Sequence, residues 1–309
     1  MSMTTGPIVE TDPIAEADRV AKETPKPRKR RWFQASVNRP GWVTYGLLAA
    51  VLIAFMFPFY WTFLIGSKDA YAIRDPHMSW LPGGNFLQNA AAVVNDPAVN
   101  FWKALWNSTY SSALIAASVV LFSTLAGWAF AKLRFPGSKW LLVFVIGTMA
   151  VPTQLGVVPL YILFQDLGWT GHIGAIIVPA LTTAFGVFWM TQYIQQTVPD
   201  ELVEAARMDG ANSFRTFLTV GLPAARPAAS MLGLFTFVTA WNNFFWPFIV
   251  LDRQDPTLPV ALSLLQSNYF VDYSIVLAGV LLATIPLLAL FAFAGKQLVT
   301  GIMAGAVKG

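Results

Sequence analysis

The chain has 309 residues, of which 56% are hydrophobic, 14% aromatic and 12% charged, with no cysteine and a formal net charge of +4. An ordinary soluble domain is roughly 45–50% apolar and about 25% charged, and a chain of this length encloses too little interior to hide so much apolar surface from water. A soluble protein is therefore excluded and a membrane protein indicated, while the lack of cysteine removes disulfides and thiolate metal sites.

Residues 1–41 form a polar arm holding eight of the 20 lysines and arginines, Arg19, Lys22, Lys26, Arg28, Lys29, Arg30, Arg31 and Arg39. Its first 24 residues lack apolar periodicity and read as disordered. The basic run Lys26–Arg31 directly precedes an apolar span. It reads as a juxtamembrane anchor against anionic lipid headgroups, not as a nucleic-acid site. The span that follows is too long for a signal-peptide core and lacks a small-residue cleavage pattern.

Six apolar segments free of charge are expected to cross the membrane as helices, at 42–65, 107–131, 140–164, 173–194, 228–251 and 274–294. With the N-terminus inside, the inner segments carry 16 Lys and Arg and the outer ones four, Lys68, Arg74, Lys103 and Arg253. Both termini are thus expected to be cytoplasmic. Trp42, Tyr45, Trp106, Trp140, Trp189 and Tyr193 fall near span ends and read as interface anchors.

No Asp, Glu, Lys, Arg or His lies in any expected span, which disfavours a proton-coupled secondary transporter. No Gly-x-x-x-x-Gly-Lys-Ser/Thr phosphate loop is present, so uphill transport would need energy from another subunit. Pro58, Pro152, Pro159, Pro179, Pro247 and Pro286, with Gly147, Gly156, Gly186 and Gly233, interrupt the spans. Each proline frees a carbonyl that protein or water must satisfy, as in a bundle around a path. His77 and His172 have no second ligand at useful spacing, and no catalytic or metal constellation is expected.

The segment 195–227 is too charged to cross a bilayer. Thr197 is an expected N-cap, Pro199 suits a first helical turn, and Asp200, Glu201 and Glu204 complement the helix dipole. Leu202, Ala205 and Ala206 would share a face, and Gly210 would end the helix in a left-handed conformation. Asn212 or Ser213 would cap a second short helix bearing Phe214, Phe217 and Leu218, stopped by Pro223 and Pro227. Two capped helices around a glycine turn suit docking into a soluble partner.

Glu204-Ala205-Ala206, three residues, Gly210, nine residues, Val220, then Leu222-Pro223 resembles the EAA loop, EAA-x3-G-x9-I-x-L-P, of permease subunits of binding-protein-dependent ABC importers. Val220 for Ile is the one departure. Asp209-Gly210-Ala211, Asn107-Ser108, Trp241-Asn242 with Pro247, and the ending Ala304 to Gly309 resemble the carbohydrate-uptake branch and its maltose-type second permease subunit, from about residue 42 onward.

The resemblance implies an all-α integral membrane fold, the six-helix bundle of a type I ABC importer permease in the cell membrane, with a non-catalytic role. Three regions follow: an arm at 1–41, a permease domain at 42–294 and a tail at 295–309. Glu204, Ala205, Ala206, Asp209, Gly210, Ala211, Leu222 and Pro223 would couple to the ATPase, and Gly305, Ala306, Val307, Lys308 and Gly309 would reach toward it. The implied partners are a second permease, two ATPase subunits and an extracytoplasmic sugar-binding protein; ATP and Mg would be held by the ATPases, and no cofactor by this chain. Trp241, Asn242, Asn243, Phe244 and Trp246 offer the ring faces and amides that sugars need, as a possible substrate path, with helix packing as the competing explanation. An importer of a non-sugar solute shares the EAA loop, and a secondary transporter is the alternative from another class.

Overall fold

The computed structural model describes residues 41–75, 77, 79–267 and 270–306, and among them it is helical with no strand. All of the basic arm but Gly41 lies outside the described residues. Residues up to Pro58 and from Phe59 onward form two compact units.

The first expected span is α1 (Trp42–Gly66). Up to Pro58 its apolar side chains are exposed on every side, including Leu48, Val51 and Phe55, the distribution of a helix whose solvent is lipid. In the second unit follow α2 (Phe86–Asn95), α3 (Phe101–Lys132), α4 (Ser138–Thr148), α5 (Val157–Asp166), α6 (Gly174–Ile177) and α7 (Ala184–Thr197). After the charged loop come α10 (Leu222–Trp241), α11 (Phe245–Val250), α12 (Leu258–Leu264) and α13 (Tyr273–Ala306).

Helix occupies all six expected spans, but not as six uninterrupted rods. Among the described residues three unbroken helices are long and apolar enough to cross, Trp42–Gly66, Phe101–Lys132 and Tyr273–Ala294, and a fourth crossing segment, Gly174–Thr197, joins α6 to α7 through a break at residues 181–183. The expected span at 140–164 is a pair of helices bent by 89° around the 149–152 break. Pro152 sits there in an extended conformation, φ −61° and ψ 126°, and cannot supply the N–H that a continuous helix would use. The expected span at 228–251 is likewise divided into α10 and α11. Pro247 falls in the first turn of α11, where a missing N–H costs no helical bond, whereas an unbroken helix would have required one there.

The core of the second unit is the packing of α3 against α7 and α10, with Val119, Trp128, Met190, Ile194, Ala225, Ala228 and Leu232 buried together. Small residues allow the approach: a Cβ at Gly127 would lie 2.7 Å from Met190 Cβ and 2.8 Å from its backbone. One at Gly186 would overlap the Ser123 hydroxyl. This is the close contact that helices in lipid depend on, because hydrocarbon provides no hydrophobic drive for them to associate.

A second cluster joins Val93, Phe101, Trp241, Leu258, Leu262 and Val276 near the opposite ends of α3 and α10. Here Asn107 Nδ2 donates to the Pro256 carbonyl at 3.1 Å, and Ser108 Oγ accepts from Leu258 N–H at 2.7 Å. Both side chains are buried and fasten the start of α12 to α3. The expected interface anchors divide: Trp42, Trp106 and Trp140 are exposed, while Trp189 is partly buried with its indole N–H enclosed.

Candidate functional site

The charged loop folds as two short helices. α7 ends at Thr197, so the expected cap at Thr197 is not formed; Pro199, at φ −62° and ψ 145°, takes the N-cap position of α8 (Asp200–Met208). The pyrrolidine ring pre-sets that turn, and Asp200 and Glu201 supply first-turn negative charge. Val203 is buried, Ala206 is half-buried, and Glu201, Glu204, Ala205 and Met208 are exposed at the i, i+3, i+4, i+7 spacing of one outward stripe. Leu202 is exposed beside it.

α8 ends as its sequence requires. Gly210 is left-handed at φ +80°, Ala211 N–H donates to the Ala206 carbonyl and Gly210 N–H to that of Arg207, each at 3.0 Å. These are the paired bonds of a Schellman termination. Asn212, and not Ser213, caps α9 (Ser213–Thr216) by accepting from Arg215 N–H at 2.8 Å. The face expected for Phe214, Phe217 and Leu218 divides: Phe217 is buried, and the other two are exposed.

Pro223 and Pro227 do not end this segment. A π-helical turn at Phe217–Gly221 leads directly into α10, with Pro223 in its first turn and Pro227 within it. The wider turn carries the chain into a helix whose second residue has no N–H. It also seats Gly221 on the Trp128 ring, where a Cβ would lie 2.6 Å from Cε3. Leu222 and Pro223 are exposed.

The loop is rooted in the helical core. Val198, Val203 and Phe217 belong to the same buried cluster as Trp128, Met190 and Ile194, with Phe217 and Trp128 ring centroids 5.9 Å apart. An ion pair adds a second tie: Lys132 Nζ at the end of α3 donates to Asp200 Oδ1 at 2.6 Å, with side-chain exposures of 5% and 75%. The hydrogen bond from Lys132, then its charge, holds the Asp200 carboxyl below its ordinary value of 3.8. A lowered carboxylate pKa means that the pair stabilises the fold above that ordinary value and is lost as pH falls through the still lower folded value.

Neutral and mildly acidic conditions should therefore leave the tie intact. Asp200→Asn at neutral pH should reproduce its loss, and Lys132→Met, which strands no buried cation, should do the same. Proteolysis of the loop provides the measurement. Both variants should be cut faster at Arg207 than the parent, and equal cutting rates would show that the pair does not hold α8 in place.

The aromatic and amide cluster is divided by the structure. Trp241 is 3% exposed and stacks on Phe237 at 5.8 Å, and Trp246 Nε1 donates to the Ala175 carbonyl at 2.9 Å. Packing accounts for both indoles. Asn242 Nδ2 donates to the Val238 carbonyl in its own helix, while Asn243 and Phe244 are exposed. Of the tail, Gly305 and Ala306 end α13, and Val307, Lys308 and Gly309 lie outside the described residues. His77 and His172 are exposed, and among the described residues no group of three or more His, Asp or Glu could hold a metal.

The family described as binding-protein-dependent transport system inner membrane component matches residues 119–299. The arabinooligosaccharides transport system permease protein AraQ of Halalkalibacterium halodurans is 30% identical over 246 residues, 75% of this chain and 88% of that protein. The trehalose/maltose transport system permease protein MalG of Thermococcus litoralis is 30% identical over 270 residues, 85% of this chain and 96% of that one. The fold is shared with a chain of a bacterial ABC transporter involved in import of the acidic polysaccharide alginate, at a TM-score of 0.70 and 22% identity over 82% of this chain and 94% of that one.

Proposed function

The chain belongs to the binding-protein-dependent transport system inner membrane components, and from that membership we propose that it is one permease subunit of an ATP-driven sugar importer. The observation that supports this most directly is α8, which has its Val203 side rooted in the core and leaves Glu201, Glu204, Ala205 and Met208 free. A helix built that way both docks and transmits. A partner that grips the outward stripe moves Val203, and with it the ends of α3 and α7, because packed cores shift as units.

The second permease completes the path, two ATPase subunits hold ATP and Mg and receive the loop, and a binding protein delivers the sugar to the opposite face. ATP hydrolysis falls to the ATPase subunits, and this chain acts as their non-catalytic partner. Both termini and the loop lie on the cytoplasmic side, in keeping with the lysine and arginine count, and the 305–309 tail extends toward the ATPases. A sugar is favoured because relatives 30% identical over most of the chain are named for arabinooligosaccharides and for trehalose and maltose. ATP-independent transport is disfavoured by the six expected spans, which hold no Asp, Glu, Lys, Arg or His.

The test is co-expression with a second permease and an ATPase, purification on a tag on this chain, and assay of ATP hydrolysis in lipid vesicles. The ATPase should copurify, and sugar-loaded binding protein should raise hydrolysis several-fold. Uptake by the lone chain without ATP would refute the assignment.

A further inference from the structure

α10 begins in the charged loop and, rising about 1.5 Å per residue, carries Trp241 roughly 30 Å away. Beyond it, a cavity of about 560 Å3 is lined by residues in and beside α11 and α12, among them Phe244, Phe248, Asp252, Arg253, Ser263 and Gln266. We propose that this cleft is a carbohydrate subsite, taking a neutral oligosaccharide of more than one ring. The proposal rests on the importer reading and names a site within it.

The lining has the two components that saccharides require. Phe244 and Phe248 are stacked with centroids 5.1 Å apart and are both exposed, giving an apolar wall for the C–H faces of sugar rings. Arg253 and Gln266 present planar polar groups whose side chains, among the described residues, make no hydrogen bond or ion pair, while the Asp252 carboxylate lies against Gly171. Planar donors and acceptors beside an aromatic wall fix a hydroxyl-rich ring in one orientation.

Size and charge narrow the ligand. Arg253, Leu264 and Ser267 also line an adjoining cavity of about 610 Å3 that extends to Asn100, Lys103 and Gln254. A single ring would leave one of the two cavities empty, whereas a chain of rings lying over Arg253 would occupy both. Lys103 is neutralised by Asp255 at 2.6 Å, and Asp252 lies next to Arg253 in sequence. The groove therefore offers no net charge to an acidic saccharide.

The absence of native cysteine makes a clean experiment possible. Gln266→Cys gives this chain a single thiol, whose maleimide labelling is followed in the assembled complex. The saccharide is whichever of maltotetraose and arabinotetraose stimulates ATP hydrolysis by the unsubstituted complex. That tetrasaccharide should slow labelling at 266 at least fivefold, its monosaccharide should do so much less, and Phe248→Ala should remove the protection. A thiol at Ser79, exposed and outside the cleft, should be indifferent.

Unchanged labelling in a complex that still shows sugar-stimulated hydrolysis would overturn the subsite and leave the importer reading standing. A thiol that reacts only when the second permease is omitted would overturn it too, by making the cleft a subunit contact. An unsubstituted chain that binds no ATPase and takes up sugar without ATP would instead remove the importer reading itself.

Discussion

Gly210→Pro is expected to leave the chain in the membrane and assembled, yet to bring sugar-stimulated ATP hydrolysis down to the basal rate, a loss of at least tenfold. Gly210 holds φ +80°, and a pyrrolidine ring is confined near −65°. The substitution also deletes the N–H that donates to Arg207, half of the termination of α8. Asp209, at φ −76° and ψ 5°, would have to leave that near-helical conformation because it would then precede a proline. Three faults fall on the turn that sets the direction of α8 relative to α9, and none falls on the membrane helices.

Gly210→Ala separates geometry from bulk. Nothing lies within 4 Å of a Cβ at this position, so the cost is the left-handed backbone alone, about 1–2 kcal/mol. Most of the stimulated rate should survive in the alanine variant. A proline variant that stays coupled would show that α8 need not be held rigid, and the lever would have to be sought elsewhere.

This turn is also where sequence and structure agree most closely, for a local reason. Gly210, Asn212 and the first-turn acids act on their immediate neighbours, so their roles follow from spacing, and the capping of α9 by Asn212 needed no distant contact. Thr197 failed as a cap because α7 runs through it and Pro199 claims the position. Span interruptions were legible as prolines, but not their consequences. Pro58 and Pro286 stay within helices, whereas the breaks fall beside Pro152, Pro179 and Pro247. Hydropathy averages over such breaks and cannot place them.

What the sequence left hidden is tertiary. Lys132 reads as the basic residue that ends an apolar run, and nothing local pairs it with Asp200, 68 positions later. Trp241 and Trp246 share a segment with Asn242 and Asn243, so composition suggested a sugar platform where packing on Phe237 and Ala175 uses the indoles. Phe248, four residues beyond Phe244 on the next turn, gives the exposed aromatic pair instead. The spacing was available as a signal, but only the break before α11 shows which face it lines.

Gly127→Val should do the most damage to the fold itself, and should remove most of the monodisperse protein recovered in detergent. The new Cβ would lie 2.7 Å from Met190 Cβ, 2.8 Å from Met190 C and 2.9 Å from Thr191 N. Two of these are backbone atoms, which cannot swing aside as a flexible side chain would. Overpacking of a tight core costs about 1–3 kcal/mol, and forcing two helices apart along a seam should reach or exceed the upper end.

Gly147→Val and Gly156→Val provide the contrast, because nothing lies within 4 Å of a Cβ at either position. Both should elute and melt like the parent. All three glycines lie in apolar runs, so equal damage from the three would mean that backbone freedom matters at these sites and close approach does not. The α3–α7 seam also carries the functional consequence. α3 ends at Lys132 and α7 at Thr197, the two points from which α8 is held, so parting these helices would displace the outward stripe of α8 proposed to dock.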